Sequence, residues 1–105
     1  IVCMGLGDSL VFDVTNDNYP KYDKDSLFNS NDNYDYSAFR ALESAAKSQL
    51  TVSTFSTTFL ESGTYAFRMS SAKNKQLIVA VMPANVNCSL QSFFVTFTAS
   101  NLITL

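Results

Sequence analysis

The chain has 105 residues, 47% of them hydrophobic and only 15% charged, with a net charge of −2 and no histidine. That length suits one domain with one core, and a charged fraction well below the usual quarter, with many Phe, Val and Thr, points to sheet. Lys and Arg scattered singly offer no stripe for a phosphate backbone, so nucleic-acid binding is set aside; no run approaches the roughly 18 apolar residues of a membrane helix, and without histidine neither a Ser–His nor a Cys–His nucleophile can be built.

From Ser9 to Thr15, Leu10, Phe12 and Val14 alternate with Val11, Asp13 and Thr15, the period-two pattern of a half-buried strand. Gly7-Asp8 before it and Asn16-Asp17-Asn18 after it are turn chemistry. Residues 16–36 hold four of the five tyrosines and five of the nine acidic residues without long periodicity. Their aromatic content predicts an ordered surface loop rather than a linker, because disordered segments are poor in aromatics. Next, Asp35 and Ser37 are candidate N-caps for a helix over about residues 37–48, with Phe39, Leu42, Ala45 and Ala46 on one face and a Glu43–Lys47 pair on the other. The remainder reads as strands at Thr51–Phe59, Thr64–Met69, Gln76–Met82 and Ser92–Thr98, parted by Glu61-Ser62-Gly63 and Ala72-Lys73-Asn74. Strands at such short spacing suggest a sandwich. The segment 88–105 supplies extra strands, or a strand that pairs with the next subunit or domain.

Cys3 and Cys88 lie far apart in sequence, where a disulfide would constrain the unfolded chain most; two buried thiols are the other reading. Asn87-Cys88-Ser89 fits the N-glycosylation acceptor pattern and, with a disulfide, suits an extracellular or cell-surface location. A start at Ile1 and an apolar end at Asn101–Leu105 lead us to expect a processed or excised part of a longer polypeptide.

Three segments carry a family resemblance: Gly7-Asp8-Ser9-Leu10-Val11-Phe12 entering a strand, the Asn-rich exit from Asn16 to Pro20, and Gly63-Thr64-Tyr65-Ala66-Phe67 entering another. Over about residues 5–82 the pattern resembles the cupredoxin (plastocyanin-like) family, which implies a mostly β, antiparallel Greek-key sandwich, here with one inserted helix. In that family the later motif ends in a copper-ligating Cys, and here Met69 stands in its place. The first His ligand would fall among Tyr19, Lys21 and Tyr22, and the downstream His and Met would fall in Ser70–Lys75. Type 1 copper needs a thiolate and two imidazoles, so the resemblance implies the fold and not the copper chemistry. The run from Asn16 to Asn29 followed by a short helix resembles cupredoxin-like modules of large extracellular proteins, which implies a scaffold or adhesion role.

Among candidate sites, Asp23, Asp25, Asp32 and Asp35 supply the hard oxygen donors that calcium takes, but no EF-hand spacing is present, and a set of Asx turns with a helix cap is the favoured reading. Ser44-Ala-Ala-Lys47 and Ser70-Ser-Ala-Lys73 match S-x-x-K but lack the companion motifs of a hydrolase. Tyr19, Tyr22, Tyr34 and Tyr36 form either a contact surface or a lid over helix and sheet. The expectation is a non-catalytic, metal-free extracellular structural or protein-interaction module, engaging other chains or neighbouring domains and able to self-assemble through its terminal strands. The alternative is a small ligand- or calcium-binding domain using loop 16–36.

Overall fold

Three consecutive apolar side chains, Val2, Cys3 and Met4, are all buried, which only a strand covered on both faces allows. The computed structural model, which describes residues 2–48, 50–86, 95–96 and 100–104, places them in β1 (Val2–Gly5), inside a five-stranded sheet. The other strands are β2 (Ser9–Asp13), β3 (Pro20–Tyr22), β4 (Thr54–Thr57), β5 (Gly63–Met69), β6 (Ala72–Met82), β7 (Val95–Thr96) and β8 (Ser100–Thr104), with one helix, α1 (Ser37–Lys47), between β3 and β4. One sheet has the order β3-β5-β6-β1-β7 and the other β4-β2-β8. The chain is mostly β, and its sheets are mixed rather than antiparallel: β1 runs parallel to β6 and β7, and β2 parallel to β8.

The chain changes sheet at Gly5-Leu6-Gly7-Asp8. Asp8 closes this corner, its carboxylate accepting from Gly5 N–H at 3.0 Å while its own N–H donates to Gly5 C=O at 3.2 Å. Gly7 sits at φ +88°, a left-handed conformation that costs a residue without a Cβ little. Beyond the corner the alternation in β2 does what its pattern predicts: Leu10, Phe12 and Val14 are buried and Asp13 and Thr15 exposed.

One continuous buried cluster joins the two sheets and the helix. Phe12 lies at its centre, with Phe39, Phe55 and Phe67 each at a ring-centroid distance of 6.4 Å. Edge-on or tilted pairs of this kind add about 0.5–1.5 kcal/mol each beyond the area they bury. The helix contributes Phe39, Leu42 and Ala46, from the predicted face. Its outer side carries Glu43, bonded to Lys47 at 3.3 Å as the spacing predicts and to Lys21 of β3 at 3.0 Å. Its end is held by Asn16, whose amide donates to Ala46 C=O and Leu50 C=O (3.2 and 2.6 Å) and accepts from Val52 N–H at 3.4 Å. Three backbone groups at and just after the end of α1 are thus organised by one side chain.

Several boundaries differ from the sequence reading. The turn between β5 and β6 is Ser70-Ser71, not Ala72–Asn74, so β6 starts four residues earlier than expected, with a register irregularity at Arg68/Met69. The fourth strand shortens to Thr54–Thr57, and β3 lies inside the segment expected to be loop. Asp35 is not the N-cap: Tyr36 is, without a side-chain bond, and Asp35 Oδ1 accepts from Ser37 N–H at 3.0 Å in an Asx turn. No helix among the described residues is long and apolar enough to cross a membrane.

Candidate functional site

The segment from Asp17 to Tyr36 is where the chain departs furthest from regular structure, and its position is fixed by β5. In an antiparallel strand every second residue turns its N–H and C=O toward one neighbour. In β5 the residues facing away from β6 include Thr64 and Ala66, and the loop satisfies them. Asp23 N–H donates to Ala66 C=O at 2.9 Å, and Ala66 N–H donates to Asn29 Oδ1 at 2.7 Å. Ser30 N–H donates to Thr64 C=O at 3.1 Å, Thr64 N–H to Ser30 Oγ at 2.8 Å, and the Thr64 hydroxyl to Phe28 C=O. Asn29 Nδ2 then donates back to Asp23 C=O at 2.6 Å. The side chains of Asn29 and Ser30 thus continue the work of β3, supplying the edge of β5 with partners that a longer strand would otherwise provide.

This attachment brings the tyrosines onto the core. Tyr19 is buried, and Tyr22, Tyr34 and Tyr36 are partly buried against the central cluster. Tyr22 meets Tyr34, Tyr36 and Phe67 at centroid distances of 5.0, 4.9 and 5.6 Å, while Tyr34 stacks on Phe59 at 5.8 Å and meets Tyr65 edge-on at 4.8 Å. Of the two readings of this group, the packing is that of a lid. Burial pushes the Tyr34 phenol up to about 12, with Thr57 hydrogen bonding working the other way, and burial also raises Tyr22. Tyr65 lies beneath the lid, 1% exposed, its hydroxyl donating to Glu61 C=O at 2.6 Å across the turn that opens β5.

With the tyrosines facing inward, the loop turns a different pair outward. Leu27 is 101% exposed and Phe28 60%, at the tip between Asp23 and Asn29. The tip is braced from within: Ser26 N–H donates to Asp23 C=O at 3.1 Å, Asn29 N–H to Ser26 C=O at 3.3 Å, and Phe28 N–H to Ser26 Oγ at 3.2 Å. Sequence reasoning missed this pair, because it read the aromatic content of the loop only as a sign of order. The available signal was their position between Ser26 and Asn29, both turn formers.

The four aspartates do not converge. Among the described residues no three of Asp, Glu, Cys or His come together in a way that could hold a metal ion. Asp23 is paired with Arg68 Nε at 2.7 Å and accepts from Gln76 Nε2 at 3.1 Å, whereas Asp35 holds the Asx turn at Ser37 and its carboxyl is lowered by that backbone bond. Asp25 and Asp32 are exposed elsewhere on the loop.

The segments where the resemblance would place copper ligands do meet. Tyr19 N–H donates to Ser70 Oγ at 3.0 Å, Ser70 N–H to Tyr19 C=O at 2.9 Å, and Ser71 Oγ to Asn18 Oδ1 at 2.8 Å, with Pro20 paired opposite Met69. The donors here are amide and hydroxyl oxygens bonded to one another and a single thioether, a set that does not fit type 1 copper. The same bonds occupy Ser70 Oγ, one of the two serines in the S-x-x-K matches, as an acceptor.

Beside the lid a cleft of about 400 Å³ opens between Lys21, Asp23, Tyr36, Arg40 and Glu43. Several of its charges are already engaged: Glu43 is lowered chiefly by Lys21 and also by Lys47, Asp23 is paired with Arg68, and the Arg40 guanidinium lies 5.2 Å from the Tyr36 ring centre. Nothing in it pairs a nucleophile with a base. Cys3 is buried and engaged rather than free, while its expected partner Cys88 and the acceptor Asn87 lie outside the described residues. Comparisons with family models, curated proteins and solved structures return no significant match for this chain.

Proposed function

We propose that the chain is a non-catalytic, metal-free protein-contact module of an extracellular or cell-surface assembly, built on a cupredoxin-like Greek-key frame. The observation that carries the contact reading is the braced tip at Leu27 and Phe28: two large apolar side chains held outward by a loop hydrogen-bonded on both flanks. A preorganised apolar projection loses little conformational entropy on binding, which is what a contact element needs. The frame reading draws support from the two sheets, the corner between β1 and β2, and the Tyr65 hydroxyl bonded to the backbone four residues upstream, a geometry like the tyrosine corner of β-sandwiches. The bonded Tyr19–Ser70 contact supports the metal-free reading, since the meeting point is filled by hydrogen bonds. A Cys3–Cys88 disulfide and a glycan at Asn87 belong to the same proposal, and thiol counting with and without reductant tests the first.

The experiment uses the labelled chain against the secreted and surface proteins of its source. We expect saturable binding competed by unlabelled chain, lost in Leu27→Asp/Phe28→Asp, with the melting temperature of that variant unchanged. Binding that survives the double substitution would remove the tip from the reading, and a large fall in melting temperature would show that the two side chains pack rather than project.

A further inference from the structure

The two outer edges formed by β3 and β4 are treated in opposite ways by the sequence. The β3 edge is short, opens with Pro20, carries Lys21 and is extended by loop side chains, the devices that keep an edge from pairing with another chain. β4, at the end of the three-stranded sheet, is also short, at four residues, but carries neither proline nor charge. From Ser48 to Leu60 the chain contains no charged residue and no proline, and β4 pairs with β2 without a bulge.

The backbone direction along this edge follows from one bond. Val14 N–H donates to Ser53 C=O at 2.9 Å, and in the same register Phe12 lies opposite Phe55 and Leu10 opposite Thr57. Phe55 and Thr57 therefore face β2 with their backbone groups, and those of Thr54 and Ser56 face away from the sheet. Their side chains are exposed, while Phe55 and Thr57 turn theirs toward the interior. Among the described residues no strand covers this edge.

We propose that β4 is a self-association edge, pairing antiparallel with β4 of a second copy of this chain about a two-fold axis near Phe55. The occupant is a second copy because the edge is self-complementary. Two-fold pairing sets a segment against itself, which penalises any charge it carries, and this segment carries none. The register that sets Thr54 against Ser56 of the second copy also carries Leu50 of one chain toward Leu60 of the other at each end. Both leucines are exposed in the single chain, at 61% and 94%. This deepens the contact-module reading by naming one partner, at a surface distinct from the Leu27–Phe28 tip.

The test is sedimentation velocity of the whole chain over a concentration series. The wild type is expected to move from monomer to dimer mass as concentration rises. Ser56→Pro removes an N–H that points away from β2, so the monomer keeps its fold by circular dichroism while the dissociation constant rises by about tenfold or more. Thr54→Lys/Ser56→Lys, which sets like charges opposite one another only in the dimer, serves should the proline variant fail to fold, and is expected to weaken association in the same way. A wild type that stays monomeric throughout, or a dimer indifferent to both variants, overturns the proposal. A monomer that still binds other proteins through the loop tip would leave the contact-module reading standing while this one falls.

Discussion

Replacing Asn29 by Ala tests the attachment of the lid at its most heavily used side chain. Two bonds are lost, the one accepted from Ala66 N–H at 2.7 Å and the one donated to Asp23 C=O at 2.6 Å. Ala66 is 0% exposed, so its N–H is left without a partner and without water. A net hydrogen bond contributes about 0.5–1.5 kcal/mol and a stranded buried donor costs about 1–3 kcal/mol, which together give a loss of roughly 2–4 kcal/mol. For a domain of this size that corresponds to a fall of about 10–20 °C in melting temperature. Calorimetry of Asn29→Ala beside Asn33→Ala, an exposed asparagine of the same loop, is the assay. The control is expected within about 0.5 kcal/mol of wild type. An Asn29→Ala melt equally close to wild type would refute the claim that this side chain acts as a strand partner for β5.

Other perturbations follow from the same geometry. Tyr65→Phe keeps the ring in the cluster and deletes only the bond to Glu61 C=O, so equilibrium unfolding should show a loss of about 1 kcal/mol; no loss would mean that the bond adds nothing to the turn. Gly63→Ala places a Cβ against Ser30 Oγ at φ +142°, which strains the backbone and displaces the acceptor of Thr64 N–H, and a destabilisation of about 1–3 kcal/mol in urea titration is expected. Tyr34 keeps its proton to about pH 12 in the fold but only to about 10 when unfolded, so the stability it confers is complete below pH 10 and is lost as pH rises toward 12. Alkaline melts should therefore fall more steeply for wild type than for Tyr34→Phe, and parallel curves would contradict the burial of that phenol.

How much of this was legible beforehand depended on whether the signal was local. The alternation of Leu10, Phe12 and Val14 and the spacing of Phe39, Leu42 and Ala46 each report one buried face, and both elements formed where expected. β1 escaped because Val2-Cys3-Met4 has no alternation to read: it is an interior strand of its sheet, and side chains on both of its faces are buried. The parallel pairings themselves join residues distant in sequence, and no local pattern encodes them. β3 was hidden by its length and by Pro20, which normally argues against a strand but is acceptable where one opens at an edge.

The candidate site was legible in composition and not in orientation. Tyrosines among Asn and Asp announced an ordered loop, yet only the pairing of the loop with β5 decides that Tyr22 and Tyr34 face inward while Leu27 and Phe28 face outward. Within Asn29-Ser-Asn-Asp-Asn33, Asn29 looks no different from its neighbours; its role comes from lying opposite an unpaired N–H on a strand that begins more than thirty residues later. The aspartates show the same limit: composition displays the donors, whereas their convergence depends on the fold, and among the described residues no three of them come together.

The central claim is that the loop is bound to β5 as an extension of the sheet and so presents a fixed tip. Native-state amide hydrogen exchange tests it most directly, read at Asp23, Ser30, Thr64 and Ala66, the four N–H groups that join loop and strand. The account predicts that they exchange slowly and together with the amides of β5 and β6, while Leu27 at the tip exchanges fast. Exchange of Asp23 and Ser30 at the rates of an unstructured chain, with β5 still protected, would contradict it.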